Sequence, residues 1–242
     1  ISPRSIDLEV VGVLAQIAAP ASNLAINIRV LAGFELVSEG FTKEQVGSSA
    51  MPHKMNSRSC ERINGLAVVL RGYLSMISEI SGDQWHEGDV SDSVVRRVAL
   101  SDAFYALDGI IETTLTVLNE MVVFEANIKR ELDQHLPYLA TTKVLMAAVK
   151  AGAGRESVHE ALRELSLKAL VERRGGREVD LFDLISKDSR IPLSESALQD
   201  LLSDPLEFTG DAASQVERVA GRIEAAIKAI PSATSYKPTQ IR

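Results

Sequence analysis

The sequence predicts an all-α protein: part of a long-helix bundle domain over residues 1–137, followed by a smaller helical C-terminal domain over residues 138–242. Three observations predict it. Apolar residues make up 45% of the chain and aromatics only 5%, with Ala, Leu, Val and Ile dominating, which suits an aliphatic helical core. No proline occurs between Pro52 and Pro137, so nothing there breaks a helix interior, where proline costs roughly 3 kcal/mol. Apolar residues recur at helical spacings, without the alternation of strands.

Taken in order, residues 6–37 read as a long helix, bent near Pro20. Residues 47–61 read as a polar loop running into a helix start. Ile63, Leu66, Leu70, Leu74, Ile77 and Ile80 form a helix stripe that Gly82 ends. Val94, Val98, Leu107, Ile111, Leu115, Leu118 and Val122 suggest another long helix, and wide apolar faces on these three argue for a bundle. Near 130–140 the helices shorten and turn signals multiply: Pro137, Gly152, Gly154, Gly175-Gly176, Pro192, Pro205 and Gly210. Helices are predicted at about 140–151, 156–173, 179–186, 194–202 and 211–229, with Ser157 and Ser194 capping or beginning two of them. The tail from Pro231 to Arg242 is polar and expected to be loosely held. Neither an internal repeat nor a low-complexity tract is present.

A net charge of −7 excludes a general nucleic-acid footprint, although local cations can still hold a small phosphate or carboxylate. Cys60 is the only cysteine, so no internal disulfide forms, and a reducing cytoplasm is the expected location. No apolar run is expected to approach the roughly 20 residues of a membrane-spanning helix, and no signal peptide is expected at Ile1. Entry at Ile1 directly into patterned sequence suggests part of a longer polypeptide, with simple processing as the alternative.

The most informative stretch is Gly47-Ser48-Ser49-Ala50-Met51-Pro52-His53-Lys54-Met55-Asn56-Ser57-Arg58-Ser59-Cys60-Glu61. Gly47 frees the backbone to hinge. Ser48 and Ser49 offer hydroxyls and adjacent amides. A serine acts as a base only where cationic or backbone donors stabilise its alkoxide, as Lys54 and the loop amides can. Lys54 and Asn56 can hold a carboxylate by charge and by amide donation. Glu61 falls at a helix start, where the macrodipole favours a carboxylate. Residue by residue, the plainer reading is a polar loop with Ser57 or Ser59 as cap.

As an ordered string, the stretch resembles the signature loop of the fumarase/aspartase superfamily of lyases, Gly-Ser-Ser-x-Met-Pro-x-Lys-x-Asn, with Met51 at its methionine. Most members have proline after the asparagine; this chain has Ser57. Downstream, Gln84-Trp85-His86-Glu87-Gly88-Asp89-Val90-Ser91-Asp92-Ser93-Val94-Val95-Arg96-Arg97 resembles the Gln-Trp-x-Glu-(Arg)-x-x-x-x-Ser-x-x-x-Arg stretch of adenylosuccinate lyases. Read alone, it is a capped helix start with an exposed arginine pair. Ser93 and Arg97 are four apart, so on a helix they share a face, and hydroxyl plus guanidinium near a helix start suits a phosphate. Many members carry arginine where this chain has Gly88, so Arg96 or a cation from elsewhere would have to replace it.

The resemblance extends over essentially the whole chain, through Pro3-Arg4, Asn27-Ile28-Arg29-Val30-Leu31 and Leu136-Pro137-Tyr138-Leu139-Ala140-Thr141-Thr142-Lys143. It implies elimination of fumarate from adenylosuccinate to give AMP, and from the succinyl-carboxamide ribotide of purine biosynthesis, without metal or organic cofactor. It implies Ser48 and Glu61 as catalytic residues. Ser49, Met51, Lys54, Asn56, Arg62, Ser93 and Arg97 are the implied substrate contacts. It implies a homotetramer whose active sites draw on three chains, and two histidines supplied by an N-terminal half, since His53, His86, His135 and His159 match no motif position. Alternatives are another superfamily elimination, of the carboxymuconate cycloisomerase or argininosuccinate lyase kind, and a non-catalytic helical assembly protein.

Weaker signals are set aside. Gly152-Ala153-Gly154 follows a helix rather than a strand and reads as a C-cap. His159-Glu160 begins like a zinc-protease motif, but Arg163 stands where the second histidine is needed. Glu87 and Asp89 read as solvated or capping, and Arg173-Arg174-Gly175-Gly176-Arg177 as a solvated turn.

Overall fold

The computed structural model describes residues 2–40, 56–83 and 90–239. They form two compact units: the described residues up to Asn127 together with those from Tyr236, and Ile128–Ser235. The sequence reading sets the change of character at residue 137; the units part between Asn127 and Ile128.

Three long helices build the first unit: α1 (Ser5–Gly33), α2 (Arg58–Ile80) and α3 (Ser91–Glu120). Helix α1 runs through Pro20 and stops at Gly33, short of the expected residue 37. Its end is a Schellman turn: Leu36 N–H donates to Leu31 O and Glu35 N–H to Ala32 O, both at 3.0 Å. The left-handed position that glycine usually fills is occupied by Glu35, with φ +57. The turn releases a two-residue strand, β1 (Val37–Ser38), which pairs antiparallel with β2 (Val122–Val123), Val37 opposite Val123. Two residues are too few to show alternation, so the sequence gives no strand signal here, and Val122 belongs to β2 rather than to the helix expected to include it.

Arg4 of α1's start pairs with Asp92 of α3's start at 2.7 Å, and Arg29 near α1's end bonds to Asn64 of α2 at 2.9 Å. Helices α1 and α3 therefore run together and α2 runs against both. The core between them is made by Val11, Leu14, Ala18, Ala25 and Ile28 of α1, Ile63, Ala67, Leu70 and Ile77 of α2, and Ala99, Ala103, Ala106, Leu107, Ile110 and Val117 of α3. On α2 the expected stripe is essentially the buried one. On α3 it is not: Val94, Val98, Ile111 and Leu118 are exposed, while alanines and Thr113 face the core. Small residues let helices approach closely, and the larger apolar ones are left on another face. By length and composition alone, α1 and α2 are long and apolar enough to cross a membrane, contrary to the expectation that no run comes close.

The helices around the second unit are α4 (Glu125–Leu139), α5 (Thr141–Lys150), α6 (Arg155–Arg174), α7 (Leu181–Ser186), α8 (Glu195–Asp200), α9 (Ala212–Ala229) and α10 (Pro231–Ser235), with a 3-10 turn at Pro205–Thr209. The core joins Val144 and Ala148 to Val158, Ala161, Leu162, Phe182, Ile185 and Leu198. Helix α4 passes through Pro137, which the sequence reads as a turn, and of its stripe Ile128, Leu132, Leu136 and Leu139 it buries only Leu136. Gly152, at φ +96, ends α5 in a Schellman turn, with Ala153 N–H donating to Ala148 O at 3.1 Å. Ser194 caps α8 by accepting the Ala197 N–H at 3.2 Å, whereas α6 starts from Gly154 and places Ser157 inside its first turn.

Candidate active site

Ser48, Ser49, Met51 and Lys54 lie outside the described residues, as do Trp85, Glu87 and Gly88. The structure describes the two places where the chain leaves and rejoins around the first of these groups. It leaves at Gly40 and rejoins at Asn56, half-buried, whose carbonyl accepts the Arg58 N–H at 2.9 Å.

The start of α2 holds Glu61 and Arg62. Glu61 is exposed in the first turn, and its N–H donates to Ser57 O at 2.9 Å. Ser57 stands at the N-cap, yet its side chain makes no capping bond. The cap comes instead from Glu39, whose carboxylate accepts the N–H groups of Ser59 and Cys60, each at 2.9 Å. Neither serine expected to cap α2 does so. Half-buried Arg62 has a buried Nη1 with no hydrogen-bond partner among the described residues, a state that leaves a charged donor available to a ligand. One turn on, Asn64 donates to the carbonyl and hydroxyl of Ser22, at 2.8 and 3.0 Å, and accepts from Arg29. This locks the α1–α2 pairing beneath the site. The Cys60 thiol is pushed up to about 12, by burial first and by the neighbouring Glu39 carboxylate second, so it stays protonated at neutral pH and does no chemistry.

Ser93 and Arg97 sit on the first two turns of α3, Ser93 partly buried and Arg97 exposed. Around them the helix start is held by ions. Arg96 Nε reaches Asp7 at 2.7 Å, Arg4 reaches Asp7 at 3.3 Å, and Arg4 Nε meets Asp92 at 2.7 Å. Both carboxylates are buried, and removing one partner of such a network leaves a buried charge uncompensated. Arg96, the in-chain candidate to replace the arginine absent at Gly88, is thus engaged with Asp7.

These two clusters are not brought together within the chain. Because α2 and α3 run in opposite directions, Glu61 and Arg62 stand at one end of the bundle and Ser93 and Arg97 at the other. The register is fixed by Tyr73, which donates to Asp102 at 3.4 Å midway. Helix α2 has 23 residues, which makes it roughly 34 Å long, several times the size of one carboxylate-binding site. Sequence reasoning found both clusters but not Glu39, Asn64 or the Asp7–Arg96 pair, each of which acts through contacts distant in sequence. Elsewhere, Glu160 of the rejected zinc motif is bound by Arg163 through Nε at 3.0 Å.

Residues 137–219 match the family described as adenylosuccinate lyase C-terminus, and residues 1–72 match the family described as lyase. The chain is 38% identical over 218 residues to an adenylosuccinate lyase of Saccharomyces cerevisiae, covering 89% of this chain and 45% of that protein. It is 34% identical over 226 residues to one of Pyrococcus abyssi, covering 91% and 48%. The fold is similar to that of a fumarate lyase from Mesorhizobium sp. BNC1, with TM-score 0.74 at 23% identity over 91% of this chain and 48% of that one. The chain spans about half the length of the curated relatives it matches. By these matches, the chain is similar over about nine-tenths of its length to roughly half of an adenylosuccinate lyase, and its helical fold is similar to that of a fumarate lyase.

Proposed function

We propose that the protein to which this chain belongs eliminates fumarate from adenylosuccinate to give AMP, and from the succinyl-carboxamide ribotide. Ser48 removes the proton from the succinyl carbon beta to nitrogen, a general-base contribution typically worth about 10²–10⁴-fold. The carboxylate that gains charge is held by loop amides, Ser49, Lys54 and Asn56, with Met51 against the substrate. Glu61 orients a histidine from outside this chain, and a second such histidine protonates the leaving nitrogen. Ser93 and Arg97 hold the nucleotide phosphate, and Arg62 contacts the substrate through its unpaired Nη1. No metal or organic cofactor takes part. The observation that carries this reading is the ordered string from Gly47 to Glu61, ending on a helix start that presents Glu61 and Arg62 together.

The protein works as a homotetramer with shared sites in the cytoplasm. The support for assembly is physical. Phe104, Ile111, Leu115 and Leu118 recur at helical spacings beside the core face, and Phe104 is 53% exposed. A helix apolar on two sides is one that packs on two sides. The opposed positions of the two clusters also ask for a second chain to complete each site.

Fumarate release from adenylosuccinate by the full-length protein tests the reaction. Wild-type protein is expected to release it, and Ser48→Ala to lose at least about 100-fold in kcat. Release from argininosuccinate but not adenylosuccinate, or normal turnover by Ser48→Ala, would overturn the assignment.

A further inference from the structure

Glu39 has no task in the reading above, yet it is among the most tightly held side chains of the first unit. It is 3% exposed. Its Oε1 accepts the Ser59 N–H and its Oε2 the Cys60 N–H. Both donors lie in the first turn of α2, where backbone N–H groups have no partner inside the helix and negative charge is favoured. Glu39's neighbours are fixed as firmly. Ser38 pairs with Val122, and its Oγ accepts the Gly40 N–H at 3.2 Å. Gly40 has φ +93 and lies so close to the end of α3 that a Cβ there would come within 2.4 Å of Glu120 O.

Three consecutive residues thus pin the chain to β2, to α2 and to the end of α3. A cap alone did not require this. Ser57 stands at the N-cap and leaves its side chain unused, whereas Glu39 reaches across 20 residues of sequence to do the work. What the longer reach adds is a fixed distance between the point where the chain leaves, Gly40, and the turn to which it returns, the one bearing Glu61 and Arg62.

We propose that Glu39 is a positioning residue for the elimination: its carboxylate clasps the end of β1 to the first turn of α2, and so sets where Glu61 and Arg62 stand. This rests on the lyase reading above. Glu39 touches no reacting atom; it acts through the Ser59 and Cys60 amides.

The experiment uses the full-length enzyme with Glu39→Gln, which keeps size but replaces one acceptor by a donor, and Glu39→Asp, which keeps the charge but shortens the reach. Two quantities are read: kcat and KM for fumarate release, and hydrogen–deuterium exchange of the amides in the first turn of α2, followed by peptide mass. The Ser59 and Cys60 N–H groups are the donors that Glu39 accepts, so their exchange reports opening of this turn. Glu39→Gln is expected to lose about 10–100-fold in kcat, the size of effect that a misplacement near 1 Å produces. Its KM should change far less, the first-turn amides should exchange faster, and Glu39→Asp should recover part of both. A kcat within about twofold of wild type, or amide exchange unchanged in Glu39→Gln, overturns the proposal. So does a loss of activity that merely follows loss of folded protein, with Glu39→Asp no better. If wild-type enzyme releases no fumarate, the lyase reading fails and this role falls with it. Amide exchange then still decides whether the clasp itself exists.

Discussion

Glu35 shows how a single residue can carry strain that the surrounding turn imposes. Its left-handed backbone closes the end of α1, and a non-glycine residue there costs roughly 1–2 kcal/mol. Its carbonyl accepts from Asn127 at 2.7 Å, a bond made by the backbone and independent of the side chain. Glu35→Gly is therefore expected to stabilise the first unit by about 0.5–1 kcal/mol, after subtracting glycine's extra unfolded freedom; a lower midpoint in denaturant unfolding would contradict this. Asp188 makes the opposite case, a favourable local interaction that depends on pH. Arg190 binds it through Nε at 3.0 Å and a terminal nitrogen at 2.7 Å, and holds its carboxyl below the usual carboxylate range. A folded value below the unfolded one adds stability above the ordinary aspartate range, near pH 4, and that stability is lost as pH falls through the folded value. Asp188→Asn should thus destabilise the second unit at pH 7 and make progressively less difference on acidification below about pH 4, as urea titrations at several pH values would reveal.

At the scale of elements, Gly40 is where sequence and packing meet most tightly. A side chain there faces both a positive φ and the backbone of Glu120, so Gly40→Ala is expected to destabilise the first unit by more than about 2 kcal/mol, with a fall in thermal midpoint as the readout. Helices α5 to α9 are legible in the sequence to within about two residues, because several ends are marked locally by Gly152 and Gly176 at C-termini and Ser194 at an N-terminus, whereas α4 and α10 are not. Helix α3 is legible as a helix but its buried face is not. Ala99, Ala103 and Thr113 give little hydrophobic signal, and they are inside because they allow close approach. Of the larger stripe read from spacing, Leu107 is buried while Val94, Val98, Ile111 and Leu118 are exposed. The site divides in the same way. Residues 47–61 are legible as chemistry because they are contiguous. Glu39 stands apart from them, and its part exists only through hydrogen bonds to amides 20 and 21 residues away.

For the whole molecule, the governing fact is that the residues assigned to one substrate stand at the two ends of an antiparallel bundle. Arg62 and Arg97 are carried by neighbouring helices, yet in the register that Tyr73 and Asp102 set roughly 24 Å of helix lies between them. On the proposed assignment of both ends to one succinyl nucleotide, each site would combine one end from one chain with the other end from another. Closed homo-oligomers achieve this by symmetry, with the same pair of surfaces meeting repeatedly. The exposed apolar seam of α3 is a surface on which such packing can occur, and replacing Ile111 and Leu118 by glutamate should shift the protein to smaller species in sedimentation while leaving its helix content intact.

The most direct test is to mix two variants of the full-length protein, each inactive alone. Arg62→Ala spoils one end of the bundle and Arg97→Ala the other. If sites form between chains, dissociating and reassembling an equal mixture restores fumarate release, because about a quarter of the sites combine two intact ends. If the mixture stays as inactive as its components while reassembled wild-type protein works, the two ends serve the same chain, and the shared-site account is wrong.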